Sequence, residues 1–177
     1  MISPMTVIRT TIDPTLVAAA ARPRLAITRL ADSPDAWQRL VGLAEACRGG
    51  EAPAKGAAGL RAELVSRPGR RVTAWIATRP GSADAAAVVT LVESLPAAGG
   101  PPRYSIGWLL VDPAERRTGL GSALVAAAVA EAGARGADRV TAETRSDWEG
   151  ATAFWRGLSA LHGGDGPDGA AGRTEAG

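Results

Sequence analysis

The sequence predicts an α+β (mixed α/β) fold built around one central sheet. A length of 177 residues suits a single domain with one core. Hydrophobic residues make up 46% of the chain and charged residues 21%, which is ordinary for a globular protein. Stretches with strand or helix periodicity follow in the order strand, two helices, three-strand meander, helix, strand and helix. Strands and helices mixed in this order favour helices packed on one sheet.

The first half of the chain is predicted to hold a strand and two helices after an N-terminal segment. The ranges are 1–23 for that segment, with one candidate strand at 5–10, then 24–30 for a strand and 33–48 for a helix. The helix is well specified because Ser33 can cap it and Pro34 suits its first turn. Leu60 and Leu64 indicate a second, shorter helix.

The second half is divided by Pro-Gly turns at 68–69 and 80–81. The predicted ranges are strands at 71–78, 85–93 and 104–111, a helix at 117–134, a strand at 139–144 and a helix at 146–158. Ser146 and Glu149 form a capping box for that last helix. Residues 161–177 are rich in Gly, Ala and Asp and are predicted to be a disordered tail. The domain is therefore predicted to span residues 24–160.

Composition argues against several classes of function. The formal net charge is only +2 and no Lys/Arg-rich run is present, so we expect no nucleic-acid partner. No apolar run is long enough for a membrane span, and no charged leader precedes an apolar stretch, so a cytoplasmic protein is expected. The only cysteine, Cys47, lies on the apolar stripe of a predicted helix, which favours a buried thiol. With His162 as the only histidine, we expect neither a histidine-based triad nor a metal site.

Residues 111–122 carry the most informative pattern, Val-Asp-Pro-Ala-Glu-Arg-Arg-Thr-Gly-Leu-Gly-Ser. They lie where a predicted strand ends and a helix begins, and unpaired N–H groups at a helix N-terminus attract phosphate. Gly119 and Gly121 would let ligand oxygens approach the backbone. Neighbouring residues add positive charge or hydroxyl donors, namely Arg116, Arg117, Thr118 and Ser122. The pattern indicates a pyrophosphate-binding loop, although two glycines near a helix start also occur for packing alone.

This stretch resembles the GNAT family of N-acetyltransferases. Residues 116–121, Arg-Arg-Thr-Gly-Leu-Gly, match the family motif Arg/Gln-x-x-Gly-x-Gly/Ala, and the preceding Val-Asp-Pro is also typical. Residues 141–158 look like the strand and helix that follow the motif in the family. The resemblance implies a mostly antiparallel sheet flanked by helices, in which strands 104–111 and 139–144 form a parallel pair that splays into a V-shaped cleft.

The resemblance also implies that the cofactor is acetyl-CoA or another acyl-CoA. The pantetheine arm would pair with the backbone of the first splayed strand, and the pyrophosphate would lie on the motif. The implied pantetheine contacts are Leu109, Leu110, Val111, Trp148 and Trp155, and the implied pyrophosphate contacts are Arg116, Arg117, Thr118, Gly119, Leu120, Gly121 and Ser122.

The implied reaction is transfer of an acetyl group to a primary amine of a small molecule or a protein. A backbone N–H of the splayed strand would stabilise the oxyanion, and a carboxylate would remove the amine proton. Glu93 is our first candidate for this base and Glu143 the second, although each also suits a solvated position at a strand. Trp75, Trp108 and Tyr104 are predicted to belong to the core or to the cleft wall.

The sequence departs from the family pattern at three places. Trp148 replaces the usual asparagine at the start of the last helix, and Trp155 replaces the usual tyrosine acid. Ser159-Ala160 stands where the family has Gly-Phe, and no strand pattern follows. We therefore expect the C-terminal strands to be missing or supplied by a partner chain, such as a second copy in a homodimer. An active N-acetyltransferase is the leading hypothesis. The alternatives are a non-enzymatic CoA-binding module and a partner-dependent subunit.

Overall fold

The computed structural model describes residues 7–14, 25–30, 34–47, 66–82, 84–145 and 149–161. Within these ranges the chain forms one mixed six-stranded sheet in the order β1-β6-β5-β4-β3-β2. The strands are β1 (Val7–Ile12), β2 (Ala26–Arg29), β3 (Arg70–Thr78), β4 (Ala85–Ser94), β5 (Arg103–Val111) and β6 (Val140–Arg145). The helices are α1 (Pro34–Ala46), α2 (Leu120–Ala134) and α3 (Glu149–Leu161). The predicted fold class is confirmed.

Strands β2 to β5 are antiparallel neighbours, and only β5 and β6 run parallel. Helices α2 and α3 pack on one face of the sheet, where Leu124, Val129 and Trp155 join the larger apolar core. Helix α1 packs on the opposite face, where Leu40 and Leu43 meet a second cluster of buried residues. Two buried faces explain why β4 is almost continuously apolar, since a strand covered on both sides has no solvent-facing residues.

A β-bulge at Gly107 and Trp108 divides β5 into two halves. Leu91 pairs with Ile106 and Val89 pairs with Leu109, so both bulge residues stand opposite Thr90. Before the bulge, even-numbered residues such as Ile106 face α2 and α3, whereas after it odd-numbered residues such as Leu109 do. The bulge therefore reverses which side chains of β5 point to each face.

The side chain of Thr90 holds this bulge in place. Its Oγ1 accepts a hydrogen bond from the backbone N–H of Trp108 at 2.7 Å, and Thr90 is 1% exposed. A Cβ at position 107 would lie 2.7 Å from the same oxygen and 3.1 Å from Cγ2 of Val92. Position 107 must therefore be glycine for the threonine hydroxyl to fit against the strand.

Strand β1 occupies the free edge of β6. It pairs antiparallel with β6 over its whole length, from Val7 opposite Arg145 to Ile12 opposite Val140. The chain covers this edge with its own N-terminal strand, so the edge is not left open. The expected absence of the C-terminal strands, and a partner chain that would supply them, stay predictions. Ile12 is 2% exposed and belongs to the core. The candidate strand at 5–10 is thus present, displaced by two residues.

Helix α2 begins at Leu120, three residues later than the sequence predicts. The preceding backbone cannot be helical, because Arg117 has a φ of 64° and Gly119 a φ of 83°. A 3₁₀ helix, Pro113–Glu115, bridges β5 to this left-handed segment, and Asp112 caps it.

Some predictions concern residues outside the described ranges. These are the helix at Leu60 and Leu64, the capping residues Ser33 and Ser146, the contact residue Trp148, His162 and nearly all of the tail at 161–177. Within the described ranges, no helix is both long and apolar enough to cross a membrane.

Candidate functional site: a cleft between two diverging strands

The site is a cleft that opens where β5 and β6 separate. The two strands pair only from Tyr104, opposite Val140, to Ile106, opposite Ala142. Beyond these positions they diverge, and a cavity of about 770 Å³ lies between them. Its lining comes from the second half of β5, the N-terminal turn of α2, β6 and the first turns of α3. A cavity of this size suits a ligand of drug or cofactor dimensions.

Backbone groups of β5 face the diverging side. The N–H of Trp108 donates to Thr90, and the N–H of Asp112 donates to the carbonyl of Ala86 at 2.8 Å, so both point toward β4. Because backbone polar groups alternate along a strand, those of Leu109 and Val111 point away from β4 and toward the cleft. Without the bulge, the backbone N–H and C=O groups in the first half of β5 would point in the opposite directions.

The loop at 112–119 contains two residues with left-handed backbone conformations. Left-handed conformations at Arg117 and Gly119 flank Thr118, and such alternation forms anion-binding concavities. A positive φ at an arginine costs about 1–2 kcal/mol, so the surrounding contacts must hold it. The Thr118 hydroxyl donates to the carbonyl of Glu115 at 2.7 Å, and the Nε of Arg116 donates to the carbonyl of Val111 at 3.3 Å.

An arginine from the turn after β3 fastens this loop. Arg79 donates from Nη2 to Asp112 at 3.0 Å and from Nε to Glu115 at 2.8 Å. Oδ1 of Asp112 also accepts from the N–H of Ala114 at 2.9 Å. That hydrogen bond lowers the pKa of Asp112, and Arg79 lowers the pKa further against the effect of desolvation. Hydrogen bonds to Glu115 and then Asp112 raise the pKa of Arg79.

Helix α3 closes one side of the cleft through two aromatic rings. Phe154 and Trp155 are edge to face, with centroids 5.0 Å apart and planes at 75°. A Cβ at Gly121 would lie 3.4 Å from Cε2 of Phe154 and 3.7 Å from Cγ2 of Val111. Gly121 therefore allows the first turn of α2 to lie close to α3, a role in addition to the ligand approach expected from the sequence.

Residues 37–159 match the model of the acetyltransferase (GNAT) family. The chain belongs to this family. The match covers more than two thirds of the sequence and includes β5, the loop, α2, β6 and most of α3. No curated protein matches the chain.

Solved structures share the family fold at low sequence identity. A tandem GNAT protein from the clavulanic acid biosynthesis pathway has a TM-score of 0.66 and 17% identity, with 89% of this chain and 50% of that chain covered. A protein of unknown function from Staphylococcus epidermidis has a TM-score of 0.60 and 11% identity, with 85% of this chain and 55% of that chain covered. This chain therefore spans about half the length of those two proteins.

A third structure has a length closer to that of this chain. It is an aminoglycoside acetyltransferase from an uncultured soil metagenomic sample, with a TM-score of 0.57 and 21% identity. The alignment covers 76% of this chain and 86% of that chain. At this identity the likeness concerns the fold.

The structure brings most of the predicted cofactor-binding residues of this GNAT protein to one cleft. Those that line it are Leu109, Leu110, Val111, Arg116, Arg117, Gly119, Leu120, Gly121, Ser122 and Trp155. Thr118 is not among the lining residues, because its hydroxyl is turned to the carbonyl of Glu115. Trp155 is 6% exposed, so it belongs to the core as well as to the cleft wall.

The two candidate bases lie in different places. Glu143 lines the cleft, and its Oε1 accepts from Nε and Nη2 of Arg9 at 2.9 and 2.5 Å. Glu93 is not among the lining residues; its Oε2 accepts from Arg135 at 2.9 Å and from Arg71 at 3.5 Å. The structure therefore brings only Glu143 to the cleft, and there it is paired with an arginine of β1.

The aromatic residues also separate. Trp108 lines the cleft, whereas Trp75 and Tyr104 are buried in the larger core. The hydroxyl of Tyr104 donates to the carbonyl of Arg135 at 3.5 Å. Burial raises the pKa of Tyr104, and the charge of Glu93 raises it further.

Sequence reasoning missed three features of the site. The bulge had a visible signal, since Gly107 lies inside an otherwise aliphatic and aromatic strand. Cys47 was predicted to be buried, and it is, but it also lines the cleft with Sγ 3.5 Å from the carbonyl of Val111. Arg79 had no local signal, because its partners are 33 and 36 residues away in sequence.

Proposed function

We propose that this GNAT protein transfers an acetyl group from acetyl-CoA to a primary amine of a small molecule or a protein. The observation that carries the proposal is the cleft between β5 and β6, which leads to the left-handed loop at the start of α2. Family membership supports an acyltransferase, and the cleft supplies both an extended strand backbone and an anion-binding loop.

The chemical groups that line the cleft suit the parts of an acyl-CoA. The outward-facing N–H and C=O groups of Leu109 and the N–H of Val111 suit the amides of a pantetheine arm, which can pair like a strand. The carbonyl of Val111 already accepts hydrogen bonds from Arg116 and Cys47. Amides of the loop and of the first turn of α2 suit a diphosphate, and Arg116 and Arg117 add positive charge there. Bound acyl-CoA would supply the acyl group as an activated thioester.

The chain's own residues would do little acid-base chemistry. Its only tyrosine is Tyr104, which is buried away from the cleft with its hydroxyl on the Arg135 carbonyl. Trp155 cannot protonate a thiolate, because an indole N–H is a hydrogen-bond donor with no accessible acidity. We therefore propose that water protonates the leaving thiolate, and that orientation of the reactants and a backbone N–H of β5 provide most of the rate.

Glu143 is the better placed candidate for the base. It is the member of the predicted pair that lines the cleft, and it is more than half exposed, so a water could connect it to an amine. The carboxylate of Glu143 is held by the guanidinium of Arg9 on β1. Glu93 on β4 is the alternative base, and it would need an acceptor bound on the β4 side of β5, away from the cleft. A cytoplasmic location belongs to the same proposal.

One observation favours a second candidate, a CoA-binding module without turnover. The only tyrosine does not line the cleft, and the family's acid position holds Trp155, which packs into the core. Both candidates bind CoA, so only turnover with an amine distinguishes them.

Calorimetric titration with acetyl-CoA tests the proposal. We expect micromolar binding by the wild type and at least a tenfold loss for Arg117→Glu, which reverses a charge on the loop. The matched control is Arg103→Glu, which makes the same charge change at the first residue of β5, about 25 Å along the strand from the loop. A folded wild type that binds no acetyl-CoA would refute both candidates. If acetyl-CoA binds, turnover with a panel of amines would support the acetyltransferase, and absence of turnover would support the CoA-binding module.

A further inference from the structure

The loop that leads into α2 contains two carboxylates as well as two arginines. Asp112 and Glu115 lie within the same short segment as Arg116 and Arg117, so the loop by itself has no net charge. A site for a diphosphate needs an excess of positive charge, and a carboxylate near it opposes binding. Something must therefore offset the two acidic residues.

Of the two, Glu115 is the one that faces the site. It lines the cleft, whereas Asp112 does not. The Oδ1 atom of Asp112 is also held by the backbone N–H of Ala114. A ligand anion in the cleft would thus meet the Glu115 carboxylate first.

Arg79 supplies the missing charge from a different part of the fold. It lies in the turn between β3 and β4, and its guanidinium spans both carboxylates, with Nε on Glu115 at 2.8 Å and Nη2 on Asp112 at 3.0 Å. Its side chain is only one third exposed, and those of the two acids are about one fifth exposed, so solvent screens the group incompletely. Arg79 is not itself a cleft-lining residue.

We propose that Arg79 is a positioning residue for CoA binding that acts as the counter-charge of Glu115. With Arg79 in place, the Glu115 carboxylate is paired, and the charges of residues 112–117 together with Arg79 sum to +1. Without it, the diphosphate would meet an uncompensated carboxylate. This inference rests on the proposed function, since it concerns the same CoA site.

Three variants separate a counter-charge from a mechanical clamp. Arg79→Ala removes both the charge and the hydrogen bonds, and we expect it to weaken CoA binding about tenfold by calorimetry. Glu115→Ala removes one of the two contacts of Arg79, leaving the contact to Asp112, and it also removes the repulsive charge, so we expect it to bind CoA at least as tightly as the wild type. The double variant should bind within threefold of Glu115→Ala.

A mechanical role for Arg79 predicts the opposite pattern. Glu115→Ala would then bind CoA more weakly than the wild type, because one of the two contacts is lost, and the double variant would bind as weakly as Arg79→Ala. Arg103→Ala is the control for loss of one positive charge, and it should bind as the wild type does. Melting temperatures identify any variant that has lost its fold. Arg79→Lys keeps the positive charge but not the contact to both carboxylates, and it should bind CoA within about threefold of the wild type.

The failure of this inference is distinguishable from the failure of the proposed function. A wild type that binds no CoA overturns both. If the wild type binds CoA, two results would overturn the inference alone. The first is that Arg79→Ala binds CoA as tightly as the wild type, and the second is that removal of Glu115 fails to restore the affinity that Arg79→Ala loses.

Discussion

Arg117 shows how a single residue can hold strain at a binding loop. Its φ of 64° is the only positive value at a non-glycine residue within the described ranges. An arginine in this conformation persists because the loop around it is fixed by Arg79, by the cap of Asp112 and by the Thr118 hydroxyl. Strain of this kind often marks functional segments.

Arg117→Gly and Arg117→Ala should differ in stability and agree in ligand affinity. Glycine relieves the left-handed strain but gains freedom in the unfolded chain, so we expect it to be more stable than alanine by about 0.5–1 kcal/mol. Both variants lose the same guanidinium and should bind acetyl-CoA equally weakly. Urea unfolding and calorimetry measure the two quantities. Equal stabilities would show that the strain is no larger than the entropic cost of the glycine.

Asp112 predicts a pH-dependent contribution to stability. Its pKa is lowered from the ordinary value of 3.8 by the Ala114 N–H and by Arg79. A carboxyl whose folded pKa is depressed stabilises the fold above its unfolded pKa and loses this contribution as the pH falls through the folded pKa. Asp112→Asn should therefore be less stable than the wild type at pH 7, and the difference should shrink below about pH 4. A constant difference down to pH 2.5 would contradict this.

The strand β5 is the element that determines the geometry of the cleft. Its bulge changes the phase of side-chain alternation, and its second half leaves β6. The separation of β5 from β6 therefore begins at the bulge, where the N–H of Trp108 donates to the side chain of Thr90 and not to a backbone carbonyl of β4.

Gly107→Ala should destabilise the protein by about 1–3 kcal/mol, because its Cβ would overlap the buried Thr90 hydroxyl. A second glycine provides the contrast. Gly157 lies in α3 with no atom within 4 Å of a built Cβ, so Gly157→Ala should stabilise the protein by about 0.5–1 kcal/mol. Urea unfolding measures both changes. A neutral Gly107→Ala would mean that the bulge can relax around an added methyl group.

The sequence predicts elements better than it predicts contacts between them. Helix α1, the strands β2 to β6 and α3 follow from local periodicity and from turn residues, within a few positions. The late start of α2 escapes prediction, because Arg117 is an ordinary helix former and its helix propensity gives no sign of a left-handed conformation. Arg79 escapes for the same reason, since no local pattern identifies partners more than 30 residues away.

On the scale of the whole molecule, β1 completes the sheet. It joins the N-terminal segment to β6, so Arg9 and Glu143 pair across 134 residues of sequence. The sequence analysis left this edge without a strand, because local patterns identify a strand but not its neighbour. A homodimer stays a prediction, but the β6 edge no longer requires one.

Ile12→Ala should cost about 2–5 kcal/mol, because Ile12 is fully buried between β6 and the core. Arg9→Ala on the same strand removes an exposed ion pair and should cost less than about 1 kcal/mol. Chemical unfolding gives both values, and light scattering shows whether a loosened β1 leads to self-association through β6. A cost below 1 kcal/mol for Ile12→Ala would show that β1 contributes little to the fold.

The pairing of β1 with β6 also has a consequence for biosynthesis. Ribosomes add about 5–20 residues per second, so Arg9 is made roughly 7–27 s before Glu143 exists to receive it. During that interval the meander of β3 to β5 can assemble, while β1, a strand with both apolar and polar residues, is without its neighbour. The pairing of β1 with β6 can therefore form only after β6 has been made, and slow or stalled translation before residue 140 would leave β1 available to chaperones or to other chains.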